Sequence, residues 1–387
     1  MTDDFETSAL SKLNKGNWAE VYAALKVSVD GYLNVARPDQ LPETIRNFFK
    51  NGAGVDGVFQ VPVNYIGTYA RDKSVSPKSP LSKRTRVEGA QLISELFSDI
   101  QKDSKATPRL PSDAALQLAY LTGLPLGHTP SGSSKGDIWM DYSNVLGIAE
   151  SGLRPFTVKS WIGADPSLVN ISGDTLIKYS LLRHVTPPAP LTCGEALLWL
   201  QEHHASQYRF EGFQSATYSE SLSEIHPGLL PSLAYANLCR NLNPGLNTFS
   251  AVEDLLKMGG AFPNFTVSAH RQCGSFAPLP RPPVFRELVK RFLLESLLTL
   301  KPSIPRAPAG ALKGGLLLVS KSGDLLAIPN AIEYLDDIAE FLYLHSKLDV
   351  NPGNMKGKRS HATELVSTAS DQSSYTAGLL IRLASTR

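Results

Sequence analysis

Two short runs of alternating side chains, DIWMD at residues 137–141 and FTVKSW at 156–161, constrain this chain more than any other feature. The first puts Asp137, Trp139 and Asp141 on one face and Ile138 and Met140 on the other. The second puts Thr157 and Lys159 together, opposite Phe156 and Val158. That period of two is the pattern of half-buried strands. The intervening IAESGLRP, with Gly152 and Pro155, punctuates rather than extends them. A pair of neighbouring strands bearing a carboxylate and a lysine can hold a divalent cation beside a phosphodiester. Magnesium takes hard oxygen ligands, and a desolvated lysine stabilises charge developing near an attacking water. Asp137 is the candidate ligand and Lys159 the candidate cation. The same two residues also suit a solvated sheet face.

Between Trp18 and Tyr32 the residues Trp18, Val21, Tyr22, Leu25, Val29 and Tyr32 fall in one stripe at helical spacing. Glu20 projects from the opposite side, among Gly16, Ala23, Ala24 and Val27, which suit a second packed face. A carboxylate there could point at the cation or lie in solvent. Asp141 and Glu150 are the alternative donors.

Several blocks resemble the HpaII-type restriction endonucleases. They are NKGNWAEVYAALKVSVDGYL, then SSKGDIWMDYSN with PFTVKSWIGADPSLVNISG, then YSESLSEIHPGLLPSLAYANL, GGLLLVSKSGDLLAIP and SYTAGLLIRLA, in that order from about Asn14 to Leu383. The resemblance implies magnesium-dependent cleavage of double-stranded DNA at a short site, CCGG-like, on a PD-(D/E)XK-type core. It implies an α/β (α+β) fold, with a central mixed sheet flanked by helices and additional mostly helical recognition regions. The position two before the lysine is commonly acidic in that superfamily, and here it is Thr157. A hydroxyl is a poor magnesium ligand, so another carboxylate is expected to replace it, with Glu20 the best candidate and Asp141 and Glu150 the alternatives. The implied catalytic set is Asp137, Lys159, Glu20 and Thr157, and the implied metal set is Asp137, Glu20 and Val158. A palindromic target implies a homodimer. The alternative is a sequence-specific DNA-binding protein on a decayed nuclease scaffold, for which Thr157 is the supporting residue.

Candidates for DNA contact follow the lysine. Ser160, Ser167, Asn170 and Ser172 carry hydroxyl and amide groups, and Gly163 and Gly173 permit close backbone approach, although ordinary turn chemistry accounts for the same residues. No regular element is expected in WIGADPSLVNISGDTLIKY. Arg382, Arg359 and His361 are the candidates for base readout, and each is equally an ordinary surface charge. A net charge of +2 means that any DNA surface must be local. Two basic loops, at 71–86 and 356–361, offer phosphate contacts or simply solvated charge.

With 387 residues, 42% hydrophobic and 19% charged, the chain can bury a large core. Neither a membrane-spanning run nor a secretory leader is read in it, and a cytoplasmic location in a bacterium or archaeon is expected. Cys193, Cys239 and Cys273 are odd in number and far apart, unlike a disulfide framework or zinc knuckle. Adjacent His203 and His204 diverge on a helix and chelate poorly. No glycine loop has phosphate-cradling spacing, so no nucleotide triphosphate is expected. Helices are expected at 192–203, from Leu229, and at 284–300; a hairpin around Ser322, Gly323 and Asp324; a helix in DDIAEFLYLHSKLDV; and a final strand in AGLLIRLA. The expected regions are 1–185, 186–300 and 301–387.

Overall fold

The computed structural model describes residues 15–52, 54, 56–68, 75, 77–102, 112–126, 137–142, 152–181, 193–202, 207–259, 264–267, 279–298, 300, 302, 305, 314–329, 332–350, 363–367 and 373–384. In chain order the elements are α1 (Lys15–Asp30), β1 (Tyr32–Ala36), α2 (Leu41–Asn51), β2 (Val58–Gly67), α3 (Arg86–Lys102), α4 (Asp113–Thr122), β3 (Ile138–Tyr142), β4 (Arg154–Ser160) and β5 (Ser167–Val169). There follow β6 (Leu176–Leu181), α5 (Cys193–Glu202), β7 (Gln207–Phe213), α6 (Ala216–Ile225), α7 (Leu229–Leu242), α8 (Phe249–Lys257), β8 (Asn264–Val267) and α9 (Pro282–Leu298). The chain continues through β9 (Gly315–Val319), β10 (Leu325–Pro329), α10 (Ile332–His345), β11 (Ser346–Asp349), β12 (Thr363–Ser367), β13 (Ser373–Gly378) and β14 (Leu380–Leu383). These form two compact units. The first takes Met1–Pro166 and Pro308–Ile338, and the second takes Ser167–Ala307 and Ala339–Ser385.

In the first unit six strands close a ring in the order β1, β10, β9, β4, β3, β2. The pairs β1/β10 and β4/β9 are parallel and the others antiparallel. The architecture is therefore mixed α/β, and the sheet of the first unit, expected as a central mixed sheet flanked by helices, closes into a six-stranded barrel. β9 (GLLLV) and β10 (LLAIP) are apolar throughout and buried along their whole length, as strands covered on both faces must be. They are joined by the expected hairpin. Ser320 N–H donates to Asp324 C=O, and Gly323 N–H to Ser320 C=O.

The helix α1 packs against the strands with more than one stripe. Trp18, Val21, Tyr22, Leu25 and Val29 are buried, and so are Ala23, Ala24 and Val27 on the side of Glu20. Tyr32 lies outside the helix, as the first residue of β1. Gly31, with φ +71°, turns the chain between the two elements, and a Cβ there would strike the Arg86 guanidinium. Helix, sheet, α3 and α4 share one apolar core that includes Trp18, Leu96, Ile100, Leu118, Ile138, Met140, Phe156 and Leu317. Tyr22 ties α1 to the hairpin, its hydroxyl donating to Gly323 C=O at 2.8 Å.

The second unit holds a five-stranded sheet in the order β12, β13, β6, β7, β8 and a three-stranded sheet in the order β11, β14, β5. Its helix α7 is buried almost all round rather than amphipathic. The polar groups on it are satisfied: Asn237 donates to Gly378 C=O at 3.1 Å, and Tyr179 donates to Ala234 C=O at 2.8 Å. Three local expectations are corrected here. The segment after Lys159 contains β5 and β6, the helix of DDIAEFLYLHSKLDV ends at His345 and continues as β11, and AGLLIRLA is divided between β13 and β14 at Leu379. Each of these strands is specified by partners distant in sequence: β6 by β7 and β13, β11 by β14. No described helix is long and apolar enough to cross a membrane.

Candidate active site

Asp137 stands immediately before β3, where Ile138 pairs with Phe156 of β4. Its N–H donates to Phe156 C=O at 2.8 Å, and its Oδ2 accepts the Val158 N–H at 2.7 Å. The two bonds hold the carboxylate across β4, between Thr157 and Lys159 in sequence. Along β3 the burial alternates as expected, with Ile138 and Met140 buried and Trp139 and Asp141 part-exposed. Along β4 it does not alternate: Thr157 is buried together with Phe156 and Val158, because both faces of the strand are covered at that level.

Three ionisable groups meet electrostatically at this point. Burial and the neighbouring Asp137 charge push the Glu20 carboxyl up to about 8, while the Lys159 ammonium opposes the shift. Burial lowers the Lys159 ammonium from its ordinary range, and Asp137 and Glu20 oppose that change. The shift favours the protonated form of Glu20 near neutral pH. A hard cation shared with Asp137 would displace that proton, since metal ligands bind in their deprotonated form. Among the described residues no group of three or more His, Cys, Asp or Glu side chains is placed to hold a metal ion. The donors that meet at this point are the two carboxylates of Asp137 and Glu20, hard oxygen ligands that suit magnesium, which keeps several waters.

The other candidates are distributed as follows. Asp141 accepts the Gly152 N–H at 3.3 Å and so closes the connection between β3 and β4. Ser160 accepts the Ile162 N–H at 3.2 Å. Ser167, Asn170, Ser172 and Arg382 belong to the second unit. Ser172 caps the short turn at Gly173–Thr175, accepting from Asp174 N–H, and the Asn170 C=O accepts the Thr175 hydroxyl at 2.9 Å. Arg382 forms an ion pair with Asp349 at 3.2 Å. Glu150, His203, His204, Arg359 and His361 lie outside the described residues.

One residue beside the site escaped the sequence reading. Trp161 is buried, donates its N–H to Val319 C=O at 3.0 Å, and meets the ring of Phe49 edge-on at 4.5 Å. It follows Lys159 at a spacing of two, so strand alternation extended past Ser160 was the available signal. Comparison with family models, with curated proteins and with solved structures gives no match.

Proposed function

We propose that this protein is a magnesium-dependent endonuclease that hydrolyses phosphodiester bonds of double-stranded DNA at a short specific site. The observation that carries the proposal is the electrostatic meeting of Glu20, Asp137 and Lys159 on α1, the edge of β3 and β4. In this reading Asp137, fixed by the Val158 N–H, and Glu20, on the helix, hold the cation with the Val158 carbonyl. Bound magnesium would screen charge on the scissile phosphate. Lys159 stabilises negative charge arising at the attacking water, in surroundings dry enough to strengthen that interaction. Thr157 contributes no charge, and Glu20 supplies the acid that its position lacks. A PD-(D/E)XK-type core, a CCGG-like target, a homodimeric assembly and a cytoplasmic setting belong to the same proposal, supported by the order of the resembling blocks.

A plasmid incubated with the protein and magnesium is the direct test. Discrete fragments are expected, and Asp137→Ala or Lys159→Ala should abolish them while leaving duplex binding in calcium largely intact. Unchanged cutting by either variant removes the site. The buried Thr157 hydroxyl favours a second reading, a DNA-binding protein without activity, for which retention of duplex without any cutting in magnesium is the signature.

A further inference from the structure

In the second unit, a patch of cationic side chains stands on the outward face of the sheet formed by β11, β14 and β5. Lys347 and Arg382 are ladder partners, so they share a face, and Ser167 is the partner of Arg382 on the other side. The opposite face, with Leu348, Ile381 and Leu383, is buried. Arg240 reaches the same edge from α7, its Nε donating to Leu348 C=O at 3.0 Å. Two arginines thus meet one carboxylate, Asp349, with Lys347 beside Arg382 on the ladder. Its Oδ2 pairs with Arg382 Nε at 3.2 Å, in a geometry short of a hydrogen bond, and its Oδ1 accepts the Val350 N–H at 2.8 Å.

The two guanidinium groups are held differently: Arg240 by a hydrogen bond from Nε to Leu348 C=O, and Arg382 by its ion pair with Asp349 alone; among the described residues the terminal nitrogens of both make no hydrogen bond. Arg382 remains 35% exposed. A guanidinium fixed at Nε presents its outer edge in a set orientation, and less side-chain entropy is lost when an anion arrives. That edge matches the paired oxygens of a phosphodiester. Asp349, with both oxygens engaged, offsets one of the two arginine charges.

We infer that Arg240, Lys347 and Arg382 form a contact surface for the phosphate backbone of duplex DNA. The inference rests on the nuclease reading and gives Arg382 a task other than reading a base. Such contacts release counterions, so each should add about one to the slope of log affinity against log salt, whatever the sequence of the duplex.

The experiment titrates labelled duplexes with the full chain in calcium, between about 50 and about 200 mM salt. One duplex carries the cleaved sequence and one is scrambled. Lys347→Gln and Arg382→Gln should each lower the slope by about one and the double variant by about two, on both duplexes alike, with Arg382→Lys retaining the wild-type slope. Unchanged slopes in folded variants overturn the patch, and so does a loss confined to the cleaved sequence, which would make Arg382 a base reader. Lys347→Gln, at a part-exposed position, keeps the test open if Arg382→Gln does not fold. Wild-type cutting together with unchanged variant slopes removes the patch alone. A wild-type chain that neither binds nor cuts duplex removes the nuclease reading with it.

Discussion

The Glu20 carboxyl is strongly perturbed, and its proton is the quantity to follow. With its pKa at about 8 in the folded chain against 4.5 ordinarily, the folded state holds a proton that the unfolded state has lost between those values. Stability conferred by that protonated form is complete below pH 4.5 and declines as pH rises toward 8. Glu20→Gln should abolish this decline, as melting temperatures at several pH values will show, and magnesium should counter it in the wild type. If one proton leaves as the cation binds, the apparent magnesium affinity should rise about tenfold per pH unit up to about 8 and then level off. A magnesium titration of cleavage from acid to alkaline pH measures this, and a flat profile would separate Glu20 from the metal. Asp137 allows a cleaner division of roles. Asp137→Asn can still accept the Val158 N–H, so it should melt near the wild type yet lose cutting. Asp137→Ala should lose both, the orphaned N–H costing about 1–3 kcal/mol in a denaturant melt. Asp137 and Lys159 were legible because strand alternation is local. The burial of Thr157 was not, because it depends on what covers the other face of β4.

Elements specified by their own residues were the ones that sequence could foretell. α1 has apolar residues at helical spacing, α9 has the same, and the β9–β10 hairpin has Ser322, Gly323 and Asp324 at its turn. β6 failed that test because LIKYSL becomes a strand only between β13 and β7, one of which lies almost two hundred residues away. The buried circumference of α7 likewise reflects its surroundings more than its pattern. The hairpin turn is where element-level specification can be checked. Gly323 has φ +84°, and a Cβ there would stand 2.6 Å from the Tyr22 hydroxyl oxygen and 2.8 Å from the Phe97 ring. Gly323→Ala should therefore destabilise the protein by about 2 kcal/mol or more in a urea melt, combining backbone strain with a disturbed Tyr22 bond. Tyr22→Phe, which leaves the Gly323 carbonyl without this donor, should cost about 1 kcal/mol.

At the scale of the molecule, the barrel is assembled from two parts of the chain separated by most of the second unit. Residues 1–166 supply β1 to β4, and residues 308–338 supply β9 and β10, which sit between β4 and β1. A fragment ending at residue 307 would leave β4 and β1 each with an unpaired edge and the core without Leu317, Val319, Leu325 and Ala327. It should show no cooperative unfolding transition by circular dichroism, and a cooperative melt would contradict the ring of strands. The same interleaving bears on biosynthesis. At ribosomal rates of roughly 5–20 residues per second, β4 emerges on the order of ten to thirty seconds before β9, its parallel neighbour. On the proposed nuclease reading, a nascent chain would lack a closed ring around its site, and so would not cut DNA, until β9 and β10 had emerged, a delay built into connectivity rather than into any inhibitor.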